Sequence, residues 1–107
     1  MNHVKEIVLF RLKDSVDEAD FLQAAQTTFD LLADYDGYVD RELTVSDDGL
    51  WIDVVTWSNL ETAMSAAEQI MQDKVGQRFG SFIDPDSIQM NHTHPRLIGH
   101  AKSGESS

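Results

Sequence analysis

The sequence predicts an α+β domain in which a four-stranded antiparallel sheet carries its helices on one face. Strand-like and helix-like segments follow one another in the order β-α-β-β-α-β over residues 4–93. Each helical segment opens on a serine with a glutamate three residues later, Ser15 with Glu18 and Ser58 with Glu61. This spacing is the capping-box pattern of a helix start. Two strand–helix–strand units in tandem place both helices against one face of a single sheet.

The first strand is predicted from the run Ile7-Val-Leu-Phe10, which is short, branched and apolar on both faces. Such a run suits a strand that is buried on both sides. Gly37 is the predicted stop of the first helix, since glycine enters the left-handed region freely. The helix itself is predicted from apolar residues at helical spacing, which are Phe21, Leu22, Ala25, Phe29 and Leu32.

A β-hairpin is predicted for the middle of the chain. Residues 38–46 alternate between apolar and polar side chains, and residues 50–57 form a second strand-like segment. The sequence Asp47-Asp48-Gly49 between them is a tight-turn signal. One face of the second hairpin strand carries Leu50, Ile52 and Val54, and the other carries Trp51, Asp53, Val55 and Trp57.

The second helix is predicted from Ser58 onward, with an apolar stripe of Leu60, Ala63, Met64, Ala67, Ile70 and Met71. Gly76 is predicted to interrupt it, and a shorter helix follows. Pro85 ends that segment, because proline disfavours helix in the residue before it. Alternating apolar and polar residues over Ser87–Thr93 predict the last strand.

Length and charge limit the classes of partner. With 107 residues the chain is one domain; we expect residues 1–98 to form it and residues 99–107, which are small and polar, to be a flexible tail. The net charge of −11, from 19 acidic and 8 basic residues, repels phosphate backbones and anionic membranes. We therefore expect neither nucleic-acid nor membrane binding.

Cysteine usage and the chain start bear on the compartment. The chain has no cysteine, which excludes disulfides and thiolate metal sites and fits a reducing compartment. The first six residues lack a basic region followed by a long apolar run, as a signal peptide would have. No apolar run approaches the roughly 20 residues that span a bilayer. We expect a soluble, cytoplasmic protein.

The two faces of the predicted sheet differ in what they can bury. We expect the helices to cover Leu43, Ile52, Val54, Ile88 and Met90. The opposite face then carries Trp51, Val55 and Trp57, with Tyr38 beside them, and this apolar area is too large to leave in water. The simplest cover is the same face of a second copy, so we expect a homodimer. Polar groups among these aromatics would complete a small-molecule cavity, and they are Glu6, Asp40, Glu42, Asp53, Gln89 and Asn91.

Three segments resemble the dimeric α/β-barrel superfamily, whose subunits are ferredoxin-like. They are the aliphatic first strand from Val4 to Lys13, the hairpin ending in Trp57-Ser-Asn-Leu-Glu61, and the strand that follows Ile83-Asp-Pro-Asp-Ser87. The antibiotic-biosynthesis-monooxygenase-like branch is the most similar, followed by the stress-responsive branch. The resemblance implies a homodimer and a pocket between sheet and helices in each subunit. It also implies cofactor-independent oxygenases or aromatic polyketide cyclases among the relatives, beside haem-degrading enzymes and proteins of no known activity.

Two departures from the relatives narrow these possibilities. Haem-degrading relatives carry an axial histidine on the second helix, and residues 58–73 contain none, which disfavours haem degradation. Polyketide cyclases of the stress-responsive branch carry a histidine early in the first strand. Glu6 occupies the aligned position here, and a glutamate can also serve as a base.

Two carboxylates are the candidate catalytic groups. Asp53 lies between Trp51 and Val55, where desolvation would raise its pKa and make it a general base; the alternative is a salt bridge to Arg41. Glu6 interrupts an apolar strand and is alternatively an exposed edge residue. The candidate substrate-binding residues, each with a core or interface role as the alternative, are Trp51, Trp57, Tyr38, Gln89 and Asn91.

His92 and His94 lie on one face of the last strand. A metal site would need a third ligand, so we expect no metal, and the two histidines are either a polar strand end or acid–base groups at the pocket mouth.

The hypothesis drawn from these residues is an enzyme that acts on a small, partly aromatic organic molecule without metal or flavin. The substrate would lie against Trp57 and Trp51, Asp53 or Glu6 would remove a proton, and Gln89 and Asn91 would hold the oxyanion. The alternative is a non-catalytic ligand-binding or stress-responsive dimer. A third reading is an interface without a pocket.

Overall fold

The computed structural model describes residues 3–102. The elements are β1 Val4–Phe10, α1 Glu18–Leu32, β2 Tyr38–Val45, β3 Trp51–Trp57, α2 Leu60–Gln72, α3 Lys74–Ser81, a short 3₁₀ turn Pro85–Ser87, and β4 Gln89–Thr93. The sheet has the order β2-β3-β1-β4 with every neighbouring pair antiparallel. The predicted α+β class, with four antiparallel strands and helices on one face, is confirmed.

Both predicted capping boxes are wrong by one or two residues. Asp17 caps α1 by accepting from the Ala19 backbone N–H at 2.9 Å. Asn59 caps α2 by accepting from the Thr62 N–H at 2.8 Å. Asp and Asn are at least as favourable as Ser at this position. Ser15 instead occupies the preceding turn with φ at 70°.

The break between α2 and α3 lies at Asp73, not at Gly76. Asp73 is in the extended region and its side chain caps α3 through the Val75 N–H at 2.8 Å. Gly76 lies inside α3, where an added Cβ would come within 2.0 Å of the Ile70 carbonyl oxygen. The glycine therefore permits the close approach of two helices.

The predicted assignment of β3 to its two faces is wrong. Trp51, Val55 and Trp57 are buried beneath the helices, whereas Ile52 and Val54 lie on the other side. The prediction was right for Leu43, which lies beneath the helices and packs against the buried cluster that contains Trp51. Alternation separates two faces without saying which is inside. The larger aromatic area takes the helices because it gains more from burial.

The core consists of two clusters between the helices and the sheet. One holds Leu32, Val55 and Trp57 with the alanines of α2, which bring that helix close to the indole; its buried members are Leu32, Val55, Trp57, Ala63 and Ala66. The other is aromatic, with Phe21 edge-on to Trp51 at 4.9 Å between ring centroids, and its buried members are Phe10, Phe21, Trp51 and Ile83. Met64 and Met71, predicted for the α2 stripe, are exposed.

The side of the sheet away from the helices is here called the open face. Its centre is apolar and half-buried, and Lys5 donates to the Thr56 hydroxyl at 2.7 Å beside it. By strand register, its members on β1, β3 and β4 are Lys5, Ile7, Leu9, Ile52, Val54, Thr56, Gln89, Asn91 and Thr93.

The C-terminal segment has no helix or strand over residues 94–102. The predicted flexible tail begins at residue 99, and its part from 103 to 107 lies outside the described residues. Over residues 3–102, no helix is both long and apolar enough to cross a bilayer.

Candidate functional site

A pocket of about 290 Å³ lies between the helix-covered face of the sheet and the three helices. Its volume is at the small end of the range for small-molecule sites. The sheet supplies Glu6, Val8, Phe10, Arg41, Asp53, Val55, Trp57 and Met90; the helices and loops supply Thr28, Leu32, Ala66, Ala67, Ile70, Met71, Gly76, Phe79, Ile83 and Ile88.

Arg41 and Asp53 form a two-point ion pair in the pocket wall. Arg41 Nε donates to Asp53 Oδ1 at 3.0 Å, and Nη2 donates to Oδ2 at 2.8 Å. The side chains are 3% and 8% exposed. A charge removed from water to this extent is tolerated when it is paired in such geometry. The salt-bridge alternative for Asp53 is therefore the one that the structure has.

The same guanidinium is held from three further sides. Arg41 Nη1 donates to the Thr28 hydroxyl at 2.8 Å, and that hydroxyl donates to the Ala25 carbonyl at 2.6 Å. The guanidinium carbon lies 4.2 Å from the centre of the Phe29 ring and 5.5 Å from that of Phe79. These distances are within the cation–π range, so Arg41 is fixed against α1 and α3.

Glu6 is the second buried carboxylate of the pocket. The indole Nε1 of Trp57 donates to Glu6 Oε1 at 3.2 Å. In the β1–β3 ladder, Val4 is opposite Trp57 and Glu6 is opposite Val55. Glu6 and Trp57 are therefore diagonal neighbours on the same face of the sheet, which brings the carboxylate to the indole. The predicted alternative for Glu6, an exposed edge residue, is not what the structure shows, since Glu6 is 9% exposed.

His92 lies beside Glu6 on the adjacent edge strand. The β1–β4 register pairs the two residues directly, and His92 Nε2 lies 3.5 Å from Glu6 Oε2. That nitrogen is buried and forms no hydrogen bond with any residue between 3 and 102. The contact is thus close enough for an ion pair but not aligned as a hydrogen bond. No lysine or arginine pairs with Glu6 in the described part of the chain.

The predicted site residues are divided between four places, and the last of these, the open face, holds Gln89 and Asn91. Glu6, Asp53 and Trp57 line the pocket together. Trp51 stacks on Phe10 in the aromatic cluster, with ring centroids 6.4 Å apart, and does not line the pocket. Tyr38 packs edge-on to Trp57 from outside, at 5.9 Å.

Gln89 and Asn91 lie on the open face. The register places Leu9 opposite Gln89 and Ile7 opposite Asn91, whereas the pocket residues of β1 are Glu6, Val8 and Phe10. The hypothesis that these two amides hold an oxyanion formed at Glu6 or Asp53 does not fit this geometry. It depended on the inverted assignment of the sheet's two faces.

Sequence reasoning named Arg41 only as a partner of Asp53, and it missed Thr28 and Phe79. Thr28 falls on the apolar side of α1, one residue from the predicted Phe29, so a hydroxyl at a buried helical position was the available signal. Phe79 lies in the short helix α3, and nothing in its sequence position indicated a site. A cation flanked by phenyl rings cannot be found without knowing how α1, α3 and β2 pack together.

Residues 3–102 contain no group of three His, Asp or Glu side chains placed to hold a metal ion. His94 is exposed beyond the end of β4 and does not join His92 and Glu6.

Both tyrosines have raised pKa values. Burial raises the pKa of Tyr38, opposed by the Arg41 charge and reinforced by Asp40 and Asp53. Burial also raises the pKa of Tyr35, with a smaller contribution from Asp73. The phenol of Tyr38 is therefore neutral at pH values where an exposed tyrosine begins to ionise.

No protein-family model matches the chain, and no curated protein matches it. Solved structures do match. A predicted antibiotic biosynthesis monooxygenase from Bordetella bronchiseptica is 19% identical, with a TM-score of 0.76 over 91% of this chain and 100% of that chain. SnoaB, a cofactor-independent oxygenase from Streptomyces nogalater, is 14% identical, with a TM-score of 0.68 over 98% of this chain and 100% of that chain. A hypothetical Arabidopsis thaliana protein is 13% identical, with a TM-score of 0.72 over 94% of each chain.

These likenesses show the fold. The chain has the ferredoxin-like architecture of antibiotic-biosynthesis-monooxygenase-like proteins along nearly all of its length, which confirms the resemblance predicted from its sequence. At such identities the chemistry must be argued from the side chains that occupy the pocket.

Proposed function

We propose that the chain is a small-molecule enzyme that acts without metal or flavin on a small, partly aromatic organic substrate, with Glu6 as the general base. The observation that carries this proposal is the Glu6 carboxylate. It is buried at an apolar pocket, held at one oxygen by the Trp57 N–H, and without a lysine or arginine partner among residues 3–102. Asp53 is less suited, because both of its oxygens accept from Arg41.

The pocket supports the aromatic part of the substrate class. Its walls are mainly aliphatic and phenyl side chains, and Trp57 adds an indole ring to them. A planar substrate lying on Val55 brings an acidic C–H or phenolic proton to Glu6. His92 Nε2, 3.5 Å from Glu6, is close enough to take part in the transfer of that proton, because an imidazole nitrogen can donate or accept a hydrogen bond.

Removal of the proton leaves a carbanion or enolate with two outcomes. In an oxygenase, the carbanion reacts with dioxygen: a methylene becomes a carbonyl and the second oxygen atom leaves as water. The substrate supplies all four electrons, so no separate reductant is required. In a cyclase, the carbanion attacks a carbonyl carbon of the same molecule and no oxidant is consumed. Oxygen uptake separates these two reactions.

The same proposal includes a dimer that forms through the open face. Ile7, Leu9, Ile52 and Val54 form an apolar centre that no helix of residues 3–102 covers, and the cost of leaving such a centre in water favours a cover. We assign the cover to a second copy of the chain. Gln89 and Asn91 would then lie at the dimer interface instead of in the pocket.

The test combines ligand identification with one substitution. Small molecules extracted from the purified protein are identified by mass spectrometry, and the extract is compared with that of Ala67→Phe, which fills the pocket. Ala19→Phe, at an exposed position on α1, is the matched control and should retain the ligand. Turnover of the identified molecule is then measured by oxygen uptake and product analysis.

Glu6→Gln tests the base directly. The amide oxygen of glutamine can still accept from Trp57, so the fold should persist while turnover falls by about 100-fold or more. Glu18→Gln, exposed in the first turn of α1, should leave turnover unchanged. Unaltered turnover in Glu6→Gln would refute the role of Glu6.

A second candidate is a non-catalytic ligand-binding dimer of the stress-responsive kind. The observation that favours it is the Arg41–Asp53 pair, which makes one of the two pocket carboxylates structural. It predicts a co-purified ligand that emerges chemically unchanged after incubation with the protein in air.

A further inference from the structure

One row of side chains crosses the whole sheet at the pocket. The register joins His92 to Glu6, Glu6 to Val55, and Val55 to Arg41. All four therefore project from the helix-covered face, in the strand order β4, β1, β3, β2. Glu6 and Arg41 are two strands apart, so their Cα atoms are separated by about 10 Å. Both line the pocket, and Val55 lines it between them.

Glu6 and Arg41, which lie on either side of Val55 in this row, offer opposite hydrogen-bonding groups. Glu6 is an acceptor when ionised, with Oε1 already engaged by Trp57. Arginine has five N–H donors, and Arg41 uses three of them, one to each Asp53 oxygen and one to Thr28. Two N–H donors therefore remain, one on Nη1 and one on Nη2, and neither has an acceptor among residues 3–102.

The guanidinium group that carries these two free donors is held in place in the pocket wall. Its side chain is 3% exposed, and the Phe29 and Phe79 rings flank it. A buried N–H without an acceptor is unfavourable, so an oxygen atom supplied by a ligand in the pocket would gain from meeting it. Asp53 already neutralises the charge of Arg41, and Glu6 adds a negative charge to the pocket, which together favour a neutral carbonyl oxygen over a carboxylate.

We infer that the pocket selects planar aromatic molecules with a hydroxyl group at one end and a neutral carbonyl oxygen at the other. The hydroxyl donates to Glu6, the carbonyl accepts from the Nη groups of Arg41, and the ring lies on Val55 between them. This inference rests on the proposed function, since it names the ligand class of the same pocket. It assigns Arg41 as the residue that determines which substrates are bound, with no part in proton removal.

Three probes of similar size test the assignment. Para-hydroxyacetophenone has both groups, para-ethylphenol lacks the carbonyl, and para-hydroxybenzoate replaces the ketone with a carboxylate. Dissociation constants are measured by amide NMR titration, and the indole N–H signal of Trp57 reports whether each probe enters the pocket. The ketone should bind about tenfold more tightly than the ethyl compound, as expected for one hydrogen bond to a charged group, and more tightly than the benzoate.

A double variant separates recognition from folding. Arg41→Met combined with Asp53→Leu removes both buried charges together, a replacement that proteins often tolerate. It should bind para-ethylphenol as well as the unaltered chain does, or better, and it should lose the preference for the ketone. Thermal unfolding confirms that the variant is folded before it is titrated.

The outcomes distinguish this inference from the proposed function. Equal binding of the ketone and the ethyl compound, tightest binding of the benzoate, or a ketone preference that survives in the double variant would each overturn the role of Arg41. None of these results bears on Glu6, whose test is turnover. Failure of all three probes to shift the Trp57 signal would overturn the inference, while a co-purified molecule of another class would still support an enzyme.

Discussion

Arg41 and Asp53 meet at two points across the β2–β3 ladder, although the register does not pair them directly. Arg41 is opposite Val55, and Asp53 is opposite Leu43, so the guanidinium reaches diagonally to the carboxylate of the neighbouring row. Diagonal neighbours on adjacent strands are within reach of long side chains. The contact places a buried positive charge in the pocket wall while leaving Val55 free to contact a ligand.

The stability of the chain should depend on that pair. Asp53→Asn keeps the size of the side chain but leaves the Arg41 charge uncompensated in a buried site. We expect the free energy of unfolding to fall by about 3–5 kcal/mol, measured by chemical denaturation. Asp47→Asn, in the exposed hairpin turn, should change it little. An Asp53→Asn protein as stable as the control would show that the pair contributes nothing.

The open face should mediate self-association. We expect light scattering at micromolar concentration to give twice the mass of the chain. Val54→Asp places a charge at the apolar centre of this face and should shift the equilibrium toward the monomer. Met64→Asp, on the exposed side of α2, should leave the mass unchanged. A stable monomer of the unaltered chain would contradict the assigned cover.

Gly37 should tolerate no side chain. Its φ is 81°, and an added Cβ would lie 2.3 Å from the Thr62 hydroxyl oxygen. Gly37→Ala should therefore lower the stability by more than about 1 kcal/mol, the cost of the left-handed conformation alone. Gly80→Ala is the matched control, because an added Cβ there meets nothing within 4 Å, and alanine in α3 should stabilise by up to about 1 kcal/mol. Calorimetric melting of both variants measures the contrast.

Neither tyrosine should titrate at the ordinary pKa. The chain has two tyrosines, and burial raises the pKa of each. A raised pKa means that the folded state favours the neutral phenol. The resulting contribution to stability is fully present below the pKa of the unfolded tyrosine, and it is lost as the pH rises through the folded value.

Ultraviolet absorbance of the tyrosinate form follows this titration. The folded chain should ionise at a higher pH than the chain in denaturant, and Tyr35→Phe and Tyr38→Phe isolate the two groups. A folded-state midpoint at or below that of the denatured chain would contradict the effect of burial.

The order of the elements could be predicted because it depends on local patterns. The hairpin turn shows this: Gly49 has φ at 88° and the Ser46 and Leu50 backbones are joined by a 2.8 Å hydrogen bond, as the Asp-Asp-Gly sequence predicted. The capping residues were missed by one or two positions because Ser, Asp and Asn compete closely for that role.

The site was predicted only in part because it depends on which face is inside. The prediction placed the aliphatic side of β3, with Ile52 and Val54, under the helices, and the arginine that pairs with the buried Asp53 comes from another strand. Once the face was inverted, Gln89 and Asn91 were placed with the aromatics. Glu6 and Trp57 do line the pocket, and both could be singled out because an acid in an apolar strand and a tryptophan at a strand end are unusual wherever the helices lie.

The ionisable lining residues of the pocket come from different elements than its uncharged helical wall, and this separation has a consequence for altering the pocket. Its ionisable lining residues, Glu6, Arg41 and Asp53, all belong to strands, whereas α2 and α3 contribute Ala66, Ala67, Ile70, Met71, Gly76 and Phe79. The ionisable side chains of the pocket are thus carried by the hydrogen-bonded sheet, and the opposite wall is a layer without charge. Larger or smaller residues in that layer should change which molecules fit while Glu6, Arg41 and Asp53 keep their positions, so substitutions in α2 and α3 alone should be enough to alter the ligands that the pocket accepts.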